Sequence, residues 1–73
     1  MSKQLDSAVR AFQLYQGSMG CRIRDQQKLY ERANRACERI AKSKGMNVSD
    51  VVEQVSREAS KRGAIIPLPG KDI

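Results

Sequence analysis

Basic side chains recur along one stretch of the sequence at alternating intervals of four and three residues. They are Lys28, Arg32, Arg35, Arg39 and Lys42. At about 100° per residue, this spacing would place them in one narrow sector of a helix, along roughly 20 Å of its axis. Phosphates suit such a row, because each Lys or Arg that neutralises a phosphate releases a condensed counterion. We call these five residues the cationic ridge and predict that it contacts nucleic-acid phosphates.

The rest of the charge pattern permits two interpretations of the ridge. The chain has a net charge of +6, and residues 21–45 hold the surplus, including Arg22, Arg24 and Lys44 outside the ridge. However, Glu31–Arg35 and Glu38–Lys42 have the i,i+4 spacing of helical ion pairs, which is typical of an ordinary solvated helix face. Charge alone therefore does not separate a phosphate-binding surface from a solvated one.

Catalysis and metal binding find little support in the residue types. The sequence has no histidine to act as a general base, no glycine-rich phosphate loop and no serine nucleophile motif. Its two cysteines, Cys21 and Cys37, form no CxxC pair, and two thiolates do not complete a tetrahedral zinc shell. We expect no catalytic residues, no metal and no cofactor, with both cysteines serving in packing.

Three segments with helical periodicity would position the ridge. Ser2 is a candidate cap for the first, which ends at residues 17–20; the second runs from about Arg24 to Lys44 and stops at Gly45. The third begins at Asn47 or Ser49 and stops at Gly63. Their predicted buried residues are, in order, Leu5, Ala8, Val9, Phe12 and Tyr15; Tyr30, Ala33, Ala36, Cys37, Ile40 and Ala41, with Leu29 at the edge; and Val48, Val51, Val52, Val55 and Ala59.

The fold class predicted from these segments is all-α: one three-helix domain over residues 1–63 with a long central helix. Residues 64–73 form an apolar tail whose prolines forbid regular helix. We expect this tail to pack across its own helices or across a subunit boundary; the alternative is a ligand for another protein. A chain of 73 residues is near the limit of independent stability, so we also expect a dimer.

Part of the chain, about residues 21–63, resembles the ribbon-helix-helix repressors of the Arc type. The resemblance rests on residues 40–55 (IAKSKGMNVSDVVEQV), where a helix ends in glycine and a second helix opens with serine and an apolar pair. It implies a strand at residues 21–24 that pairs across a dimer, with Arg22 and Arg24 reading bases in the major groove. It also implies that backbone amides near Ser49 grip a phosphate. The strand is the alternative to the all-helical fold, in which a plain helix runs through residues 21–44, since Ile23 continues the helical phase.

These observations predict a small, basic nucleic-acid-binding regulator of transcription, dimeric, of a plasmid or phage kind, with DNA favoured over RNA. The alternative is a helical interaction module, an inhibitor or assembly subunit that docks on an acidic protein, in part through the tail. Phe12, Tyr15 and Tyr30 fall at core-like positions, which argues against a base-stacking platform. The sequence lacks an apolar run long enough for a bilayer and a signal-peptide core, so we expect a cytoplasmic location and no membrane partner.

Overall fold

Three α-helices make up most of the chain. The computed structural model describes residues 3–68 and 71. Helix α1 spans Lys3–Gly17, a 3-10 turn follows at Ser18–Gly20, α2 spans Ile23–Lys44 and α3 spans Val48–Arg62. The predicted all-α class and the long central helix are confirmed for these residues. Ser2, the predicted cap of α1, lies outside the described residues.

The three helices share one core of mostly small side chains. Its buried members are Ala8, Val9, Ala11, Phe12, Ala33, Cys37, Ile40, Ala41, Val51, Val55 and Ala59. Alanine at several of these positions lets the helix backbones approach closely. The periodic pattern predicted most of this set, because residues three and four apart share one face of a helix.

Two predicted core positions are wrong, and one predicted edge position is buried. Tyr30 is 42% exposed, and Val48, at the first residue of α3, is 40% exposed. Leu29, placed by the sequence at the edge of the apolar stripe, is 1% exposed. The Tyr30 ring instead packs beside the Tyr15 ring, with centroids 5.1 Å apart, at the surface of the molecule.

The strand alternative at residues 21–24 is not seen. Arg22 is extended and caps α2, and its carbonyl accepts the N–H groups of Asp25 and Gln26 at 3.0 Å. The side-chain amide of Gln26 donates to the Cys21 carbonyl at 3.0 Å. In a strand, the carbonyls of Cys21 and Arg22 would bond to a second strand. Here they already accept local hydrogen bonds. The predicted helix is therefore present, although α2 begins at Ile23 rather than at residue 21.

A glycine ends α2 as predicted. Gly45 adopts the left-handed conformation, with φ 67°, and its N–H donates to the Ala41 carbonyl. Glycine suits this position because it lacks the Cβ that makes such a φ costly. Asn47 then precedes α3 as its N-cap residue, one of the two predicted starts, without a capping bond from its side chain.

The start of the tail is held against α1. The buried side-chain amide of Gln13 donates to the Gly63 carbonyl at 2.9 Å, and the Ile65 N–H donates to the Gln13 carbonyl at 3.0 Å. Pro67 is buried, whereas Ile66 is exposed. Residues 69, 70, 72 and 73 lie outside the described residues, so the predicted packing of the whole tail stays a prediction.

Candidate nucleic-acid interface

The cationic ridge lies on a single unbroken helix. All five of its side chains are exposed, and α2 continues without interruption on both sides of them. The core residues Ala33 and Cys37 occupy the opposite side of the same helix, where they are fully buried. The charged surface and the packed surface of α2 are therefore separated, and a partner can reach the ridge without disturbing the core.

The two ion pairs suggested by the sequence, Glu31–Arg35 and Glu38–Lys42, do not form. Neither Arg35 nor Lys42 makes an ion pair with any carboxylate in the part of the chain that the structure describes. Three ion pairs that the structure does show involve α3. They are Arg57–Glu53 at 2.7 Å, Arg62–Glu58 at 3.3 Å and Arg62–Asp6 at 3.6 Å. Because Glu31–Arg35 and Glu38–Lys42 are not formed, the side chains of Arg35 and Lys42 extend into solvent.

One flank of the ridge forms the wall of an open groove between α1 and α2. The groove has a volume of about 480 Å³. Its lining residues are Ser7 and Ala11 from α1, and Lys28, Glu31, Arg32, Arg35, Ala36 and Arg39 from α2. Four of these side chains are basic and one is acidic, so the groove carries a net positive charge. It can accommodate an anionic group between a cationic wall and a neutral one.

A second hollow adjoins this groove near the start of α1. It has a volume of about 190 Å³ and shares Ser7, Ala36 and Arg39 with the larger one, adding Lys3 and Gln4. The shared residues make the two hollows one continuous depression. We call the combined feature the α1–α2 groove.

Of the other four predicted site residues, only Arg24 lies in line with the ridge. Arg24 lies one helical turn before Lys28 and so extends the ridge. Arg22 precedes the helix, and Lys44 is its last residue, about 160° away from Lys28 around the axis. Ser49 lies apart in the first turn of α3. Without the strand, Arg22 and Arg24 do not share a strand face, and that route to base recognition is lost.

Sequence reasoning missed the contribution of α1 to this surface. Ser7 and Ala11 are small and uncharged, and Lys3 shares its segment with a single other basic residue, Arg10, so none of them carries a pattern typical of nucleic-acid binding. Only the packing of α1 against α2 places them beside Lys28 and Arg39. No periodicity in a single sequence encodes which flank of a helix a neighbour will cover.

The other reactive groups of the chain lie away from the ridge. Both cysteines are free thiols; Cys21 is half-buried and Cys37 is buried in the core, where burial raises its pKa to about 11. Among residues 3–68 and 71, no three Cys, Asp or Glu side chains gather as a metal site would require. Nor, in that same part of the chain, does any helix combine the length and apolar character needed to cross a membrane.

Comparison of the chain with models of known protein families, with curated proteins and with solved structures gives no match. The resemblance to ribbon-helix-helix repressors therefore stays a prediction.

Proposed function

We propose that this protein is a small regulator that binds nucleic acid, DNA in preference to RNA, by placing the cationic ridge against phosphates. The observation that carries the proposal is the row of exposed basic side chains on one face of α2. Arg35 and Lys42 are unengaged by carboxylates of the described residues, so they meet a phosphate without first breaking an internal pair. Arginine dominates the row, and its planar fork matches phosphate oxygens.

The length of the ridge suits a nucleic-acid backbone. One DNA strand carries a phosphate about every 3.4 Å along the duplex axis, so a ridge of roughly 20 Å spans on the order of six phosphates. Rigid spacing along a helix lets several cations engage together. Simultaneous engagement raises the number of counterions released and therefore the affinity.

Duplex DNA is favoured over single strands and over RNA on two grounds. Phe12 is buried and Tyr30 lies about 200° from Lys28 around α2, so neither ring supports base stacking at the ridge. The B-form major groove admits an α-helix, whereas the A-form major groove of RNA is too deep and narrow for side chains to read. A dimeric plasmid or phage regulator acting in the cytoplasm remains our working description.

The alternative, a module that docks on an acidic protein, draws on the same ridge. It is also supported by the tail, where Ile66 is 80% exposed and offers an apolar anchor. Apolar anchors beside charged rims are a common design of protein interfaces. Failure to bind nucleic acid at low salt would shift the proposal to this alternative.

The direct test combines Arg35→Glu and Arg39→Glu and measures affinity for generic duplex DNA and for RNA over a salt series. We expect wild-type binding at about micromolar Kd, with log K falling by roughly 0.9 per phosphate contact for each unit of log salt. The double variant should lose at least about tenfold in affinity and show a smaller salt slope. Circular dichroism checks that its helices are intact.

A matched control makes the same charge change on α3. Arg57→Glu combined with Lys61→Glu alters the net charge equally, at exposed positions on another helix. This control should retain most of the affinity. Equal losses in the two double variants would mean that net charge alone attracts nucleic acid and that the ridge is not the contact surface.

A further inference from the structure

We infer that one sugar–phosphate strand of the bound nucleic acid lies in the α1–α2 groove, so that α1 contacts it as a second wall. The inference rests on the proposed function and adds a site for the strand that the ridge alone does not define. Lys28, Arg35 and Arg39 of the ridge line this groove, as does Arg32. Lys42 does not line the groove. Four of the five ridge residues therefore contribute to it.

The wall opposite the ridge is formed by small, uncharged side chains of α1. Ser7 is exposed and Ala11 is buried, and both are small, so few side-chain atoms project from the α1 side. A groove of about 480 Å³ is within the range that holds ligands of nucleotide size. One nucleotide unit of a nucleic-acid backbone can therefore lie in the groove between the helices. There the basic side chains of the ridge contact it along one wall of the groove.

Polar groups on α1 suit the same occupant. The Ser7 hydroxyl can donate to a phosphate oxygen, as serine often does at DNA backbones. Lys3 lines the adjoining hollow together with Arg39, which places a cation from each helix around one end of the groove. A backbone running along the groove would thus meet positive charge at both ends and a hydroxyl donor between them.

Glu31 is the carboxylate among the lining residues, and it limits where a phosphate backbone can pass through the groove. A carboxylate repels phosphate, so the backbone should pass on the α1 side of the groove, nearer Ser7 than Glu31. That path leaves Glu31 available to accept a hydrogen bond from a base amine.

The test fills the groove without changing its charge. Ser7→Trp places a large neutral side chain on the α1 wall, at an exposed position where the fold should tolerate it. We expect duplex DNA to bind at least about tenfold more weakly, with a smaller salt slope, because phosphates can no longer reach the lining cations. Gln54→Trp, at an exposed position on α3, is the control and should bind as the wild type does.

The outcomes separate this inference from the proposed function. Wild-type affinity in Ser7→Trp, together with lost binding in the Arg35/Arg39 double variant, would place the strand on the outer ridge and overturn only the groove. Wild-type affinity in the double variant would overturn the proposed function itself. If Ser7→Trp fails to fold, Ser7→Gln, a smaller neutral residue with good helix propensity, gives the same comparison with a weaker expected loss.

Discussion

Cys37 shows how one residue is assigned by its surroundings rather than by its chemistry. A thiol can act as a nucleophile or a metal ligand only as the thiolate. Cys37 is fully buried among alanines and aliphatic side chains, and burial raises its pKa to about 11. At neutral pH it is therefore an uncharged hydrophobe, consistent with the packing role expected from the sequence.

The raised pKa predicts how stability depends on pH. Between about pH 9 and pH 11 the unfolded chain loses this thiol proton while the folded chain keeps it. Folding is then linked to proton uptake, so the free energy of unfolding should fall as pH rises through that range and be unaffected by this group below it. Denaturant unfolding at pH 8 and pH 10.5 measures the effect.

Cys37→Ala should lose less stability than the wild type between those two pH values, because it has no thiol to ionise. Cys21→Ala, which removes the thiol outside the core, serves as the control and should keep the wild-type dependence. Identical dependence in all three proteins would show that Cys37 does not contribute.

The burial of an individual residue could be predicted only where its position around the helix axis determines whether it is buried. Phase assigned Ala33, Cys37 and Ile40 to the core correctly. It failed for Tyr30, because that side chain is 42% exposed and its ring packs beside the Tyr15 ring at the surface and not in the shared core. Phase gives the direction of a side chain, but the presence of a neighbouring helix in that direction is a property of the whole fold.

At the scale of elements, the tail is fastened to α1 through a close backbone approach. A Cβ at Gly17 would overlap the backbone carbonyl of Ile65, far inside van der Waals contact. Gly17 has ordinary right-handed backbone angles, with φ −79° and ψ −6°. The glycine is therefore required by the space between α1 and the tail and not by its own conformation.

Gly17→Ala should consequently displace the tail. We expect loss of the Ile65 N–H bond to the Gln13 carbonyl, faster amide exchange at Ile65 and a decrease of about 1–3 kcal/mol in unfolding free energy from steric overlap. Hydrogen exchange and urea unfolding measure these. Gly20→Ala is the matched control, since a Cβ there meets no atom within 4 Å. A neutral or stabilising effect at Gly17 would mean that the tail is not held there.

The boundaries of the elements were more predictable than their mutual packing. Gly45 and Gly63 ended helices where the sequence placed them, because both take positive φ and interrupt the pattern. The strand at residues 21–24 was not formed, because local capping bonds satisfied its backbone. The α1–α2 groove had no sequence signal, since it depends on which side of α2 the first helix covers.

Across the whole molecule, charged and apolar exposed surfaces occupy different sides of α2. Ile23 and Tyr30 lie roughly opposite the ridge, and together with Tyr15 they line a shallow hollow. Ile23 is 75% exposed and Met19, in the adjoining turn, is 60% exposed. We propose that a second copy of the chain covers this surface, because Ile23 and Tyr30 leave apolar area exposed side by side, which association would bury.

Association through this surface would leave both cationic ridges open to DNA. Two ridges on one complex would double the phosphate contacts, and both affinity and the salt slope would rise accordingly. Ile23→Asp should therefore give a monomer in sedimentation equilibrium, keep its helical circular dichroism and show about half of the wild-type salt slope on DNA. Ile66→Asp makes the same chemical change at another exposed position and should remain associated. A wild-type protein that sediments as a monomer at all concentrations would contradict the proposal, because the apolar surface would then be uncovered in solution and each DNA contact would be made by a single ridge.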